Sequence, residues 1–150
     1  MRKYFFVTAC LLFSLQGFSQ TPIDSVKMVV NKLFAAMKNG DSLMLTQCFA
    51  DSAIMQTIAK NKEGKVSIRN EDFHDFAKQI SKLPKGDADE RITYDMVKVD
   101  ADLAIVWTPY QFYYKGNFSH CGVNSFHLVR INGQWKIQYL IDTRRKDNCI

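Results

Sequence analysis

The side chains best suited to chemistry in this sequence lie in its C-terminal half. Trp107, Gln111, Tyr113, His120, Asn124 and Tyr139 fall within long apolar stretches. Histidine titrates near neutrality and can serve as acid or base. Tryptophan and tyrosine offer flat apolar contact plus one hydrogen-bond donor each. A few such groups converging on an apolar cavity are what a small-molecule site requires. The same residue types also pack ordinary sheets, so the direction in which each points decides its role.

Other chemistries find no support in the sequence. No phosphate-binding or nucleophile motif is present, and nothing implies a cofactor. The cysteine spacing is not that of a metal site. The net charge of +5 includes Arg2 and Lys3 of the N-terminal segment. The remainder is mildly basic with scattered charges, which does not point to nucleic acid. Arg144-Arg145-Lys146 reads as a solvated tail.

The N-terminus reads as an export signal. Arg2 and Lys3 precede an apolar run from Tyr4 to Leu15, which is too short for a lasting membrane span. Gly17-Phe18-Ser19 supplies small residues for cleavage after Ser19, leaving residues 20–150 as one domain. Val7-Thr8-Ala9-Cys10 resembles a lipid-attachment signal, but the apolar stretch before Cys10 is very short, so plain export is the favoured reading. The expected destination is the periplasm or the medium. An oxidising compartment permits a disulfide among Cys48, Cys121 and Cys149. Cys48 lies in an apolar helical context, which leaves Cys121 and Cys149 as the candidate pair.

The pattern predicts helices first and strands after. Thr21 caps a helix with Pro22 at its first position, and Asn39-Gly40 closes it. Asp41 caps a short second helix to about Cys48, and a strand over Ala53 to Ile58 follows. A small strand over Val66 to Arg69 precedes a third helix, capped by Asn70 and carrying Phe73, Phe76, Ala77 and Ile80 on one face. Strands then follow over Arg91–Val99, Leu103–Tyr114, Phe118–Ile131 and Trp135–Thr143. Asn132-Gly133 is the strongest hairpin signal. This is an α+β pattern.

The order of elements resembles the NTF2-like superfamily, which includes SnoaL-like cyclases and ketosteroid isomerases. The resemblance rests on Asn39-Gly40-Asp41 closing a long helix, then Phe49-Ala50-Asp51-Ser52-Ala53. Trp107-Thr108-Pro109-Tyr110, Phe118 to Val123, Trp135-Lys136-Ile137 and Ile141 to Arg145 are similar to secreted "nuclear transport factor 2 family" and "putative lumazine-binding" proteins. It implies an NTF2-like cone: a strongly curved, mostly antiparallel sheet wrapped around three helices, with a pocket at the wide mouth. A homodimer through the sheet is also implied. The isomerase acid and base do not align onto this chain.

Strand alternation, with two-residue turns at Lys115-Gly116 and Asn132-Gly133, groups one face. It collects Leu103, Ile105, Trp107, Gln111 and Tyr113 with His120, Asn124, Phe126, Leu128, Trp135, Ile137, Tyr139 and Ile141. We expect this face to be concave, with Trp107, Gln111, Tyr113, His120, Asn124 and Tyr139 lining the pocket. Asp142 is then expected to point away from it. A bulge at Pro109 or Gly122 would flip the alternation. Binding of a small apolar or aromatic molecule is the favoured function. Alternatives are an isomerase- or dehydratase-like enzyme with His120 as acid–base, or a dimeric interaction domain.

Overall fold

A computed structural model describes residues 21–61 and 63–149. The export segment and Cys10 lie outside the described residues. Helix α1 (Pro22–Asn39) begins where the Thr21 side chain accepts from the Asp24 amide. It ends at Gly40, whose φ of 70° suits the left-handed cap. Its stripe of Val26, Val30, Leu33, Phe34 and Met37 is buried. Asp41 caps α2 (Ser42–Thr46). Asp72, not Asn70, caps α3 (Phe73–Ile80), because the preceding strand continues through Glu71.

Seven strands form one curved, open sheet: β1 (Phe49–Lys60), β2 (Val66–Glu71), β3 (Ala88–Ile92), β4 (Met96–Asp100), β5 (Leu103–Tyr114), β6 (Asn117–Ile131) and β7 (Gln134–Thr143). The order is β2-β1-β7-β6-β5-β3, and β4 also pairs with β5. Only β1 and β7 run parallel. The strand expected over Arg91–Val99 is therefore two strands sharing one edge of β5. Pro109 sits where they part. The Thr93 amide donates to the Pro109 carbonyl, so the missing Pro109 N–H faces the gap between β3 and β4.

The helices cover the concave face, where Phe34 meets Phe126 edge to face at 6.2 Å. Burying side chains such as Phe126, Leu128 and Ile137 stabilises the fold by roughly 1.5–3 kcal/mol each. Asn132 (φ 50°) and Gly133 (φ 78°) make the tight β6–β7 turn.

Two bulges reset the alternation. On β6, Phe112 pairs with His120 but Tyr113 pairs with Phe118, so Ser119 is extra. On β7, Leu128 pairs with Ile137 but His127 pairs with Tyr139, so Gln138 is extra. Neither bulge is at Pro109 or Gly122. The inward set on β5 is thus Ala104, Val106, Thr108 and Tyr110, all buried. On β7 it is Trp135 and Ile137, then Leu140 and Asp142.

Gly122 has a different task, close approach. A Cβ there would lie 1.8 Å from the Thr143 carbonyl oxygen and 2.8 Å from the Tyr110 ring. Tyr110 lies over this glycine and donates to the Thr143 carbonyl at 2.9 Å. Beyond it, Cys121 pairs with Arg145 through backbone hydrogen bonds and with Cys149 through a disulfide. Cys48 is buried with a free thiol. The Gly122→Ala variant is expected to lose about 2–3 kcal/mol of unfolding free energy, since backbone must move to admit the methyl group. A urea midpoint equal to wild type would show that the strand end has room to shift.

Candidate functional site

A cavity of about 60 Å³ lies between the helices and the concave sheet face. Its walls are apolar: Leu33, Phe34 and Met37 from α1, Phe49 and Met55 from β1, Phe76 from α3 and Leu140 from β7. Each comes from the buried stripe or inward register of its element. Thr57, Glu90, Asn124 and Asp142 project into this lining, with Glu71 and Arg144 at its mouth. Outside the mouth an open groove of about 560 Å³ continues past Arg69, Asp72, Asp75 and Gln79. Glu71, Phe76 and Arg144 border both spaces.

Asp142 is fully engaged. Arg144 Nε donates to its carboxylate at 2.8 Å, and the Thr57 hydroxyl donates to the other oxygen. The Tyr110 hydroxyl approaches at 3.3 Å. Arg144 also donates to Thr57 Oγ1 at 2.9 Å and stands 3.8 Å from Glu71. Glu71 is paired with Arg69 at 3.3 Å. Burial and the neighbouring Asp142 and Glu90 charges push the Tyr110 phenol well above its ordinary range, which keeps it a neutral donor.

Glu90 contrasts with Asp142. Its carboxyl accepts one hydrogen bond, from the Asn124 amide at 2.8 Å. No salt bridge reaches it among the described residues. Burial raises its pKa to about 7, and the charge of Asp142 adds to the effect, while Asn124 and Arg144 oppose it. It therefore exchanges a proton near neutrality inside an apolar space, as a general acid or base must.

The structure brings only part of the expected set together. Asn124 lines the cavity. His120 is on the concave side but one step removed, its ring 5.8 Å from Tyr110 and 5.0 Å from Phe112. Burial and the Arg144 charge hold it below the usual histidine range. Trp107, Gln111, Tyr113 and Tyr139 are on the opposite face, contrary to expectation. The Ser119 bulge turns the β5 residues outward relative to Asn124, leaving Trp107 40% exposed. Tyr113 donates to Gln111 there, under the Arg91 guanidinium. The Gln138 bulge does the same to Tyr139, which donates to Gln56 and packs on His127. Conversely, Asp142 points in.

Glu90 and Thr57 carry no signal in the sequence analysis, and Arg144, expected in a solvated tail, is instead bound to Asp142 and Thr57. An aspartate amid β-branched residues with an arginine two positions on was a usable sign, because i and i+2 share a strand face. Glu90 stood just before the strand expected to begin at Arg91. No group of His, Cys, Asp and Glu among the described residues could hold a metal.

The chain matches the family model described as "Putative lumazine-binding" over residues 21–139. No curated protein matches it. Among solved structures it resembles an NTF2-like protein of unknown function from Shewanella baltica. That match has 12% identity and a TM-score of 0.64, over 86% of this chain and 100% of that one. A relative from Shewanella oneidensis, also NTF2-like and of unknown function, has 16% identity and a TM-score of 0.63 over 82% and 99%. A domain of unknown function with a cystatin-like fold from Nostoc punctiforme has 17% identity and a TM-score of 0.65 over 87% and 82%. At these identities the likeness establishes the fold.

Glu90 makes folding pH-dependent in a defined direction. Its folded pKa lies above the unfolded value of 4.5, so the protonated form favours folding. That stabilisation is complete below about pH 4.5 and is lost as pH rises through about 7. A shift of that size corresponds to up to about 3 kcal/mol. Urea unfolding across this range should show the decline in wild type and not in Glu90→Gln. Identical slopes in the two proteins would contradict it.

Proposed function

The chain belongs to the "Putative lumazine-binding" family of the NTF2-like superfamily, and from that premise we propose that it binds a small molecule through its concave cavity. The supporting observation is the convergence of Glu90, Asn124 and Asp142, with Thr57 beside them, on a cavity whose remaining inner walls are apolar and whose mouth carries Glu71 and Arg144. Apolar walls give affinity, and a few placed polar groups give orientation. The cavity of about 60 Å³ is far smaller than the roughly 300–1,000 Å³ of drug-sized sites. A bicyclic ring of the lumazine kind would place only an edge or substituent inside and rest its body in the outer groove.

The same carboxyls favour a second reading, proton-transfer catalysis. The acid–base would then be Glu90 rather than His120, because Glu90 faces the cavity and His120 does not line it. Asp142, neutralised by Arg144, would hold the mouth in shape.

Export and dimerisation complete the proposal. The disulfide between Cys121 and Cys149 suits an oxidising compartment. The convex face exposes Ile54, Ile68, Leu103 and Trp107. A second copy covering this sheet would remove that apolar surface from water.

Two experiments test these readings. In protein-observed NMR, uncharged and charged fragments should shift Leu33, Asn124 and Leu140. Filling the cavity by Met55→Trp should weaken their binding at least tenfold with the fold retained. Shifts confined to other surfaces would defeat the binding proposal. Run in deuterated water, the same samples read exchange of protons beside fragment carbonyls. Exchange no faster than in Glu90→Gln would remove the catalytic reading. Separately, chain recovered from a bacterial periplasm should have the intact mass of residues 20–150 and sediment as a dimer that Trp107→Glu dissociates. An uncleaved mass would refute export, and a wild-type monomer would refute the dimer.

A further inference from the structure

The cavity's chemistry narrows what can enter it. Its apolar wall is strongly aromatic, with Phe34, Phe49 and Phe76 contributed by three different elements. Ring faces carry negative potential and attract organic cations, most effectively when water is excluded. Glu90 adds a carboxyl whose hydrogen-bond partner is the neutral Asn124. An isolated carboxylate in such surroundings lacks a counter-charge.

The arginines at the mouth make no ion pair with it, and Arg144 reaches it only through space. Arg144 is bound to Asp142 and Thr57, and Arg69 to Glu71. The cavity and its groove carry Glu71, Asp72, Asp75, Glu90 and Asp142 against Arg69 and Arg144. An acidic concavity has thus formed on a chain whose overall charge is +5. Such a cleft concentrates cations and disfavours anions.

We propose that the cavity receives the ammonium head of an organic cation, held among Phe34, Phe49 and Phe76 with Glu90 as its counter-ion. This rests on the reading of the cavity as a small-molecule site and specifies its ligand class. Size agrees. One water requires roughly 10–15 Å³ of such space, so about 60 Å³ accommodates a head of a few heavy atoms. The rest of the molecule lies in the groove, beside Asp72 and Asp75.

The pH dependence follows from Glu90. Binding of a cation strengthens as pH rises through its titration near 7, because only the ionised carboxylate is a counter-ion. The groups facing Glu90 are Asp142 and Arg144 from the β7 end, Tyr110 from β5 and Asn124 from β6. Glu71 of β2 stands at the mouth, and α1 presents only Leu33, Phe34 and Met37. Asp142 and Arg144 pair with each other, so Glu90 dominates the change. A ligand accepting a proton from neutral Glu90 would show the opposite trend.

The test compares methylammonium, trimethylammonium and choline with the uncharged carbon isostere of choline, by NMR titration of the mature chain at about pH 5.5 and about pH 8.5. At least one ammonium probe should bind at the cavity at least tenfold tighter than the isostere at the higher pH. It should weaken about tenfold at the lower pH, and Glu90→Gln should reduce it to the isostere's level. Phe76→Leu, which keeps apolar contact but removes a ring face, should cost the cation several-fold and the isostere little. It reads the same site should Glu90→Gln fold poorly. Equal binding of cation and isostere, or cation binding untouched by both substitutions, overturns the inference and leaves a small-molecule site. The inference falls equally if uncharged fragments shift the cavity while no ammonium probe does so. Failure of every fragment and probe to shift it removes the parent reading as well.

Discussion

A carboxylate withdrawn into an apolar cavity loses hydration that only charge and hydrogen bonds can replace, and Asp142 and Glu90 are in that position here. Asp142 is supplied from three directions, by Arg144, Thr57 and Tyr110. The interaction ties the end of β7 to β1 and to β5 across the sheet. It also fixes Arg144 at the cavity mouth, where it meets Glu71 of β2. Glu90 receives only the Asn124 amide, and its proton affinity rises accordingly. One carboxyl therefore works as a structural tie, and the other keeps only the Asn124 hydrogen bond.

Which side chains enter the cone depends on strand register. Because strand side chains alternate, one extra residue reverses every direction beyond it. The extra residue on β7, Gln138, lies beside an irregularity in β1, where pairing jumps between Phe49 and Ile54. Its side chain donates to the Ser52 carbonyl at 3.0 Å, so the two irregularities hold each other. Past that point Leu140 and Asp142 turn inward and Tyr139 turns out. Without it, Tyr139 and Ile141 would occupy the cavity, and Thr57 and Tyr110 would lose Asp142 as a partner. The bulge is thus a precondition of the site.

The sequence displayed the fold more plainly than the site, for a physical reason. Helix ends are local: Thr21 with Pro22, Asn39-Gly40 and Asp41 each act within a turn of their own position, and each is a real cap. Asn132-Gly133 is equally local, since it needs only two positive φ angles. Side-chain direction is cumulative, and it depends on every residue between the turn and the position in question. Ser119 and Gln138 carry no glycine or proline to betray a bulge. Pro109 and Gly122, which do attract suspicion, serve a missing donor and a close approach. Alternation puts Asn124 on the concave face, where it lies, because β6 between its bulge and the Asn132-Gly133 turn is regular. It does not hold for Trp107, Gln111, Tyr113 and Tyr139, because each lies one bulge away from the frame that fixes Asn124.

The position of Arg144 joins these threads. It follows the last strand residue, Thr143, whose carbonyl is held by Tyr110 above Gly122. The next residue, Arg145, pairs with Cys121, which is itself bonded to Cys149. Arg144 is therefore clamped on both sides while its side chain spans the boundary between cavity and groove. Any occupant reaching both spaces must pass it, Glu71 and Phe76. The rim, where this guanidinium and an aromatic ring meet, bounds the way into the small chamber behind it. Because that backbone is held by Tyr110 on one side and by the Cys121 pairing on the other, the rim keeps its shape without rearrangement of the sheet.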